Sequence, residues 1–194
     1  MHQFDTVIIK HKQKDYDACY ERCVDLGYNN NSITSIHTID SPIPKATHGN
    51  YKNYRNSNHR TDPDFLNFYR HFKAWKLGVQ LDKPILIIED NVFQQFPLPG
   101  NINNFYTEIL NCSAGNWEYE NTILSLPKSD HKIGGDDYPI FQRNCLSNSK
   151  AYLITPLGCK KALDINVKYG YIIPRVMFNS VLFDVKYFKR KLFV

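Results

Sequence analysis

Two adjacent carboxylates close the most apolar short run of this chain. In the stretch Lys83 to Asn91, KPILIIEDN, four apolar residues from Ile85 to Ile88 lead directly into Glu89 and Asp90, and Asn91 follows. Adjacent acids repel each other, and a hard cation or a hydrogen-bonding sugar relieves that repulsion. Magnesium and manganese take such oxygens and also bridge phosphates. If the apolar run is a parallel strand, the acids sit at its carboxyl end, where open α/β sheets bind ligands. The triplet therefore points to a nucleoside-diphosphate site. Acids that merely open a solvated loop give the alternative reading. Lys10 and His11 close an earlier apolar strand in the same way, and Asp136–Asp137 follow the flexible pair Gly134–Gly135 in GGDDY.

The segments around these residues are legible by period. FDTVIIK (Phe4 to Lys10) is a short β-branched strand, and KDYDACYERCVDLGY (Lys14 to Tyr28) is a helix. Its apolar face carries Tyr16, Tyr20, Cys23 and Val24, and Gly27 terminates it. SITSIHTID (Ser32 to Asp40) is a second strand. From Ser41 to Pro63 prolines, asparagines and bases form a long loop, and Asp62 caps a helix that starts at Pro63. That helix carries Phe65, Phe68, Phe72, Trp75 and Val79 as one stripe, and KPILIIEDN follows as the third strand.

The second half is more mixed. Phe105 to Asn111 reads as a short helix, YENTILSL as a fourth strand, and SKAYLITPLGCKKALD as strand, turn and helix. YFKRKLFV alternates bases with apolar residues. The order strand–helix–strand, loop, helix–strand, then a mixed half predicts a single α/β domain over residues 1–194. The expected architecture is a Rossmann-like, open, mostly parallel sheet flanked by helices.

Composition agrees with one folded domain. The 194 residues are 42% hydrophobic and 14% aromatic, enough for one core, and the 22% charged fraction does not suit a disordered chain. A net charge of +5 fits an anionic partner or simply a mildly basic enzyme. Met1 to Asp5 lacks the basic start and apolar run of an export signal, and no window is apolar enough for a membrane span. A cytoplasmic location is expected, the host cytoplasm if the chain is viral. The cysteines Cys19, Cys23, Cys112, Cys145 and Cys159 form no C-x-x-C pair and are expected to be free thiols.

Three segments, in order, resemble glycosyltransferase family 25, the lipooligosaccharide and collagen-type sugar transferases. YRHFKAWKLGVQLDKPILIIEDNV is similar to the family's His…Trp helix followed by a strand ending in Glu-Asp-Asp, with His71 and Trp75 at the His and Trp positions. KAYLITPLGCKKALD is similar to its Ala-Tyr-Leu-Ile-Ser…Gly-Ala segment at Ala151, Tyr152, Leu153, Ile154 and Gly158, with Thr155 for Ser. TVIIKHKQKD, a helix and SIHTID resemble its opening, with Asp40 at the family's Ile-Asp-Gly.

The resemblance implies a glycosyltransferase A fold and a nucleotide-sugar donor, a UDP-sugar first. It implies donor contacts from Lys10, His11, Asp40, His71, Glu89, Asp90 and Asn91, with Glu89 toward the ribose or sugar. His71, beside the Phe/Trp stripe, reads as a structural histidine lining that site. A divalent metal, manganese or magnesium, would be held by Asp90 and the residue after it. Here that residue is Asn91, whose amide brings no charge, so metal binding should be weaker. The family's Pro-x-Asp is also missing. Pro174 is followed by Arg175 and Val176, so no base carries over. Candidate bases are Asp137, Asp136 and Asp184.

For the acceptor, bases interleave with aromatics. The loop holds Lys45, Lys52, Arg55 and Arg60 with Tyr51 and Tyr54, and the tail holds Lys186, Lys189, Arg190 and Lys191. Such mixtures suit nucleic acid, where phosphates give affinity and rings stack on bases. Arg55, Arg60, Arg143, Arg175, Lys189 and Arg190 are the acceptor or DNA candidates. A phage-type enzyme that glycosylates hydroxymethylated pyrimidine in DNA is one expectation. A saccharide acceptor is another, and a binding module that has lost catalysis is a third. No obligate protein partner is inferred.

Overall fold

The computed structural model describes residues 4–37, 63–99, 101–104, 106–113, 122–125, 148–169, 180 and 182–194. The strands are β1 (Asp5–Ile9), β2 (Ile33–Ile36), β3 (Ile85–Glu89), β4 (Ile109–Asn111), β5 (Ile123–Ser125), β6 (Ala151–Ile154) and β7 (Val185–Phe188). The helices are α1 (Gln13–Asp25), α2 (Pro63–Leu81) and α3 (Pro156–Tyr169). The strands form one sheet in the order β2-β1-β3-β6-β4-β7-β5. β6 and β5 run against their neighbours, and the other five strands share one direction. This is the expected α/β architecture, an open mixed sheet with helices on its faces.

Strand pattern explains the layers. β3 is buried at every residue, as a central strand covered on both faces must be. Its odd members Ile85 and Ile87 join Val7 and Ile9 against Phe68, Phe72 and Trp75 of α2 and Cys159 and Ala162 of α3. Its even members Leu86 and Ile88 join Ile8 against Cys19 and Cys23 of α1, with Val92, Leu98 and the tail residues Leu192 and Phe193. α1 stops where expected: Gly27 adopts φ 80°. The Gly27 N–H bonds Val24 O (2.9 Å) and the Tyr28 N–H bonds Cys23 O (3.1 Å), a paired termination that glycine permits.

The connection order creates a crevice. From β1 the chain passes through α1 to β2 on one side, and the next parallel strand, β3, lies on β1's other side with α2 on the opposite face. The carboxyl ends of β1 and β3 thus flank a switch in winding direction, the place where such sheets bind ligands. The tail returns across the same edge: Leu192 N–H bonds Cys112 O at 3.1 Å, and Val194 pairs with Phe93 in both directions at 2.7 and 3.0 Å.

Three expectations change. Phe105 to Asn111 is not a helix: its described residues include β4, because Ile109, Leu110 and Asn111 are wholly buried between β6 and β7 and sheet pairing overrides local preference. A 3-10 turn over Ile102–Asn104 precedes it. Val79 is 40% exposed, so the α2 stripe ends at Trp75. On α1, Cys19 and Cys23 are the deepest residues, with Tyr16 and Tyr20 only packed against the core. Among the described residues no helix is long and apolar enough to cross a membrane, and the four described cysteines are buried free thiols.

Candidate functional site

Strand alternation sends the two acids in opposite directions. Glu89 follows the odd face toward α2, and Asp90 follows the even face toward α1. Both are almost fully buried, at 6% and 4% exposure. Their mutual repulsion is answered inside the protein, by a different partner set on each face.

Asp90 closes the amino end of α1. Its Oδ2 accepts the main-chain N–H of His11 at 2.6 Å and of Lys12 at 3.0 Å. Lys12 occupies the cap position of α1 and offers no side-chain cap of its own. The carboxylate of a distant strand therefore holds the N–H groups of the cap residue and of the residue before it, at a helix end whose dipole favours negative charge. Asp90 Oδ1 lies 2.8 Å from His11 Nδ1.

Glu89 anchors a second network. Its Oε1 accepts from His71 Nε2 at 3.2 Å and from Asn67 Nδ2 at 3.1 Å. Behind His71, Nδ1 meets the Tyr152 hydroxyl at 2.8 Å, and that hydroxyl accepts from Trp75 Nε1 at 3.1 Å. Glu89 is an acceptor, so the His71 proton facing it is on Nε2, and the opposite ring nitrogen rests on the Tyr152 hydroxyl. Asn67 Oδ1 then faces His11 Nε2 at 3.3 Å, which links the two networks. Asp90 and Asn67 thus bracket the His11 ring, one at each nitrogen.

Burial pushes the Glu89 carboxyl up. The hydrogen bond from His71 foremost, then the His71 charge, the Asn67 amide and the His11 charge, outweighs burial and holds it below the usual carboxylate range. Burial also pushes the Tyr152 phenol far up, so it stays a neutral hydrogen-bonding group. Glu89 is thus a fixed acceptor, able to receive a hydroxyl through its remaining lone pairs.

No model of a known protein family matches this chain, and no curated protein does.

The donor set does not fit a divalent ion. Asp90 has three of its four lone-pair directions occupied by N–H donors, and Asn91 is neutral and exposed. Among the described residues no three His, Cys, Asp or Glu side chains converge as metal ligands.

The other expected residues separate. Lys10 stays at the site, bonded to Gln13 Oε1, with its ammonium 5.0 Å from the Tyr16 ring. Asp184 is not brought there. It precedes β7, whose first residue pairs with Ile109, level through Ile154 with Ile85 at the start of β3. Its main-chain N–H bonds Glu108 and its carboxylate accepts from Thr107. Strands rise about 3.3 Å per residue and lie about 4.8 Å apart, so Asp184, five residues back and three strands across, sits roughly 20 Å from Glu89, on the opposite edge. It cannot serve a base role at the crevice. Lys189 and Arg190 do follow β7 to the crevice edge, but Arg190 stacks 3.1 Å above the Phe96 ring. Asp40, Arg55, Arg60, Asp136, Asp137, Arg143 and Arg175 lie outside the described residues.

Three groups escaped the sequence reading as site residues: Asn67, Arg70 and Tyr152. The available signal was helical spacing, since Asn67 and Arg70 lie four and one residues before His71. A cavity of about 330 Å3 adjoins the site on the α1 side, with Ile88, Cys19, Cys23 and Phe193 as apolar walls and Asp15, Arg22 and Asn91 as polar ones.

Proposed function

We propose that this chain is a nucleotide-sugar-dependent glycosyltransferase whose donor lies across the carboxyl ends of β1 and β3. One observation carries the reading. Three segments far apart in sequence, each resembling the same family, meet in one hydrogen-bonded constellation: His71, Trp75 and Glu89 from the first, Tyr152 from the second and His11 from the opening one. The winding switch beneath it is where a nucleotide fits.

In the reaction, the acceptor hydroxyl oxygen bonds to the anomeric carbon of the donor sugar. The bond from that carbon to the diphosphate oxygen breaks, and the electron pair leaves with the nucleoside diphosphate. The hydroxyl proton passes to a base. Glu89, kept ionised, would receive a donor hydroxyl and orient the sugar, while Lys10 and His11 would meet the leaving diphosphate. Asp136 and Asp137 remain the candidate bases. For the acceptor we favour hydroxymethylated pyrimidine in DNA, since Lys189 and the bases Lys45, Lys52, Arg55 and Arg60 of the sequence would supply phosphate contacts.

A second reading draws on Asp90. A carboxylate committed to capping a helix is removed from chemistry, which suits a chain that binds a nucleotide sugar without transferring it.

A panel of nucleotide sugars tested against hydroxymethylated DNA and against oligosaccharide acceptors separates these. A mass gain on the product nucleoside supports the DNA acceptor, and a gain on the saccharide moves the acceptor. Saturable donor binding without release of nucleoside diphosphate favours the second reading. Neither binding nor release removes both.

A further inference from the structure

We propose that Arg70 is the cation of an anion subsite at this edge, one that takes a diphosphate through its guanidinium instead of through a divalent metal. The inference rests on the donor reading above and names the group that meets its diphosphate.

The geometry starts on α2. Residues three and four apart on a helix are neighbours, so Asn67, Arg70 and His71 project from one side. Asn67 and His71 both end on Glu89 Oε1. Arg70 shares that side of α2, and the charges of Asp90 and Glu89 both act on it. Yet it makes no hydrogen bond to either acid. Its Nε is buried and has no partner.

That is a costly arrangement for a guanidinium. A buried N–H that has left water without a protein acceptor is rare in folded chains and asks for an explanation. Neither carboxylate supplies the missing acceptor: Asp90 is turned onto the N–H groups of α1 and Glu89 onto His71 and Asn67. Burial pulls the Arg70 guanidinium down from its ordinary range, and the charges of Asp90 and Glu89 oppose that pull without removing it. A ligand that brings its own oxygens completes the site.

The chemistry of the fork selects the ligand. A guanidinium presents parallel N–H donors that match two oxygens of one phosphate or carboxylate group, and phosphoanions are its common partners. Lys10 and Lys12 flank the adjoining turn, with Lys12 exposed. The two acids are already paired within the protein, so they leave the positive charge of this edge uncommitted to them. A diphosphate with two or three charges fits this better than a single carboxylate. The absence of a third acid at Asn91 then has a reason. Where arginine and lysine neutralise the leaving group, a metal ligand is unnecessary.

The test uses the whole chain and two probes, inorganic pyrophosphate and UDP, titrated calorimetrically in EDTA and again in manganese. The native protein should bind both in EDTA, with manganese changing affinity less than threefold. Arg70→Gln should weaken pyrophosphate and UDP at least tenfold in EDTA. Arg70→Lys, which keeps the charge and loses the fork, should fall between. The unliganded melting temperature of Arg70→Gln should be equal or higher, because the variant removes an unsatisfied donor. Binding that appears only with manganese, or Arg70→Gln binding as tightly as the native chain, overturns the proposal. Metal-free pyrophosphate binding that needs Arg70 supports this subsite even if no sugar is ever transferred. Sugar transfer that needs manganese and ignores Arg70 supports the enzyme reading and overturns the subsite.

Discussion

Asp90 grips His11 twice: Oδ2 accepts the histidine's main-chain N–H at 2.6 Å, and Oδ1 lies 2.8 Å from its ring Nδ1. This contact spans 79 residues of chain and joins the end of β3 to the start of α1. Removing it exposes two consecutive N–H groups at a helix terminus that has no other cap. Asp90→Ala should therefore destabilise the fold by about 2–4 kcal/mol, the sum of a lost charged hydrogen bond and a lost cap. Urea unfolding checks this. Asp90→Asn, which keeps one acceptor oxygen, should cost less. Equal stability of native and Asp90→Ala would mean that α1 does not depend on this carboxylate.

Glu89 makes acid stability testable. Its carboxyl is held below the usual range, led by the His71 hydrogen bond against an opposing burial effect. A group with a depressed folded value stabilises the protein above its unfolded value, near 4.3 for glutamate, and loses that contribution as pH falls through the folded value. The native chain should thus lose stability below about pH 4.3, and Glu89→Gln should be less stable at neutral pH but flatter on the acid limb. Urea midpoints from pH 3 to 7 report it. Parallel acid limbs for the two proteins would count against the assignment.

The Tyr152 hydroxyl accepts from Trp75 Nε1 and lies 2.8 Å from His71 Nδ1. Tyr152→Phe leaves the buried indole N–H unpaired and removes the hydroxyl beside His71. The expected loss is about 1–3 kcal/mol. Trp75 fluorescence should shift as well, since the acceptor of its indole N–H disappears. If stability and emission both stay unchanged, a water has replaced the hydroxyl and the line toward Glu89 does not depend on Tyr152.

Much of this frame is legible in sequence because β1, β3 and β6 are dense apolar runs and α2 keeps a three-and-four stripe through Trp75. β4 was not. A buried strand of three residues, Ile109–Leu110–Asn111, carries no period to distinguish it from a helical fragment. The site shows the same division. The run ending in Glu89–Asp90 marks a sheet edge plainly, and alternation even assigns the acids to opposite faces. Their partners do not follow from any local pattern, because His11 and His71 come from separate elements placed by the winding order. Asp184 misled for the same reason: its distance from the crevice depends on strand direction, which the residue itself does not reveal.

Two glycines test the fit of α2 and α3 against the sheet. A Cβ on Gly158 would stand 2.7 Å from the main-chain oxygen of Glu108 and 2.9 Å from Ile154 Cγ1. A Cβ on Gly78 would stand 2.6 Å from Cys159 Sγ and 3.0 Å from Ile85 Cδ1. Alanine gains about 1 kcal/mol of helix preference at either position, while overpacking costs about 1–3 kcal/mol. Side chains can turn aside and a strand-bound carbonyl region cannot. Gly158→Ala should be the more damaging, by roughly 1 kcal/mol in urea unfolding. The reverse order would place the tighter contact between the helices.

Asn91→Asp asks whether the third position of the acidic run is a metal ligand. The substitution adds a carboxylate at an exposed position beside Asp90, whose oxygens already hold three N–H donors. A second acid contributes to a divalent site only if the first has lone pairs to share in the same direction. Here Asp90 points to α1 and is fixed there by the helix terminus. Drawing it out would uncap α1, so the gain in manganese affinity should be under threefold by calorimetry, with melting temperature in EDTA unchanged. An increase of tenfold or more, accompanied by metal-dependent UDP binding, would show that Asp90 can leave the helix to serve a cation. The capping carboxylate would then be the resting state of a metal site.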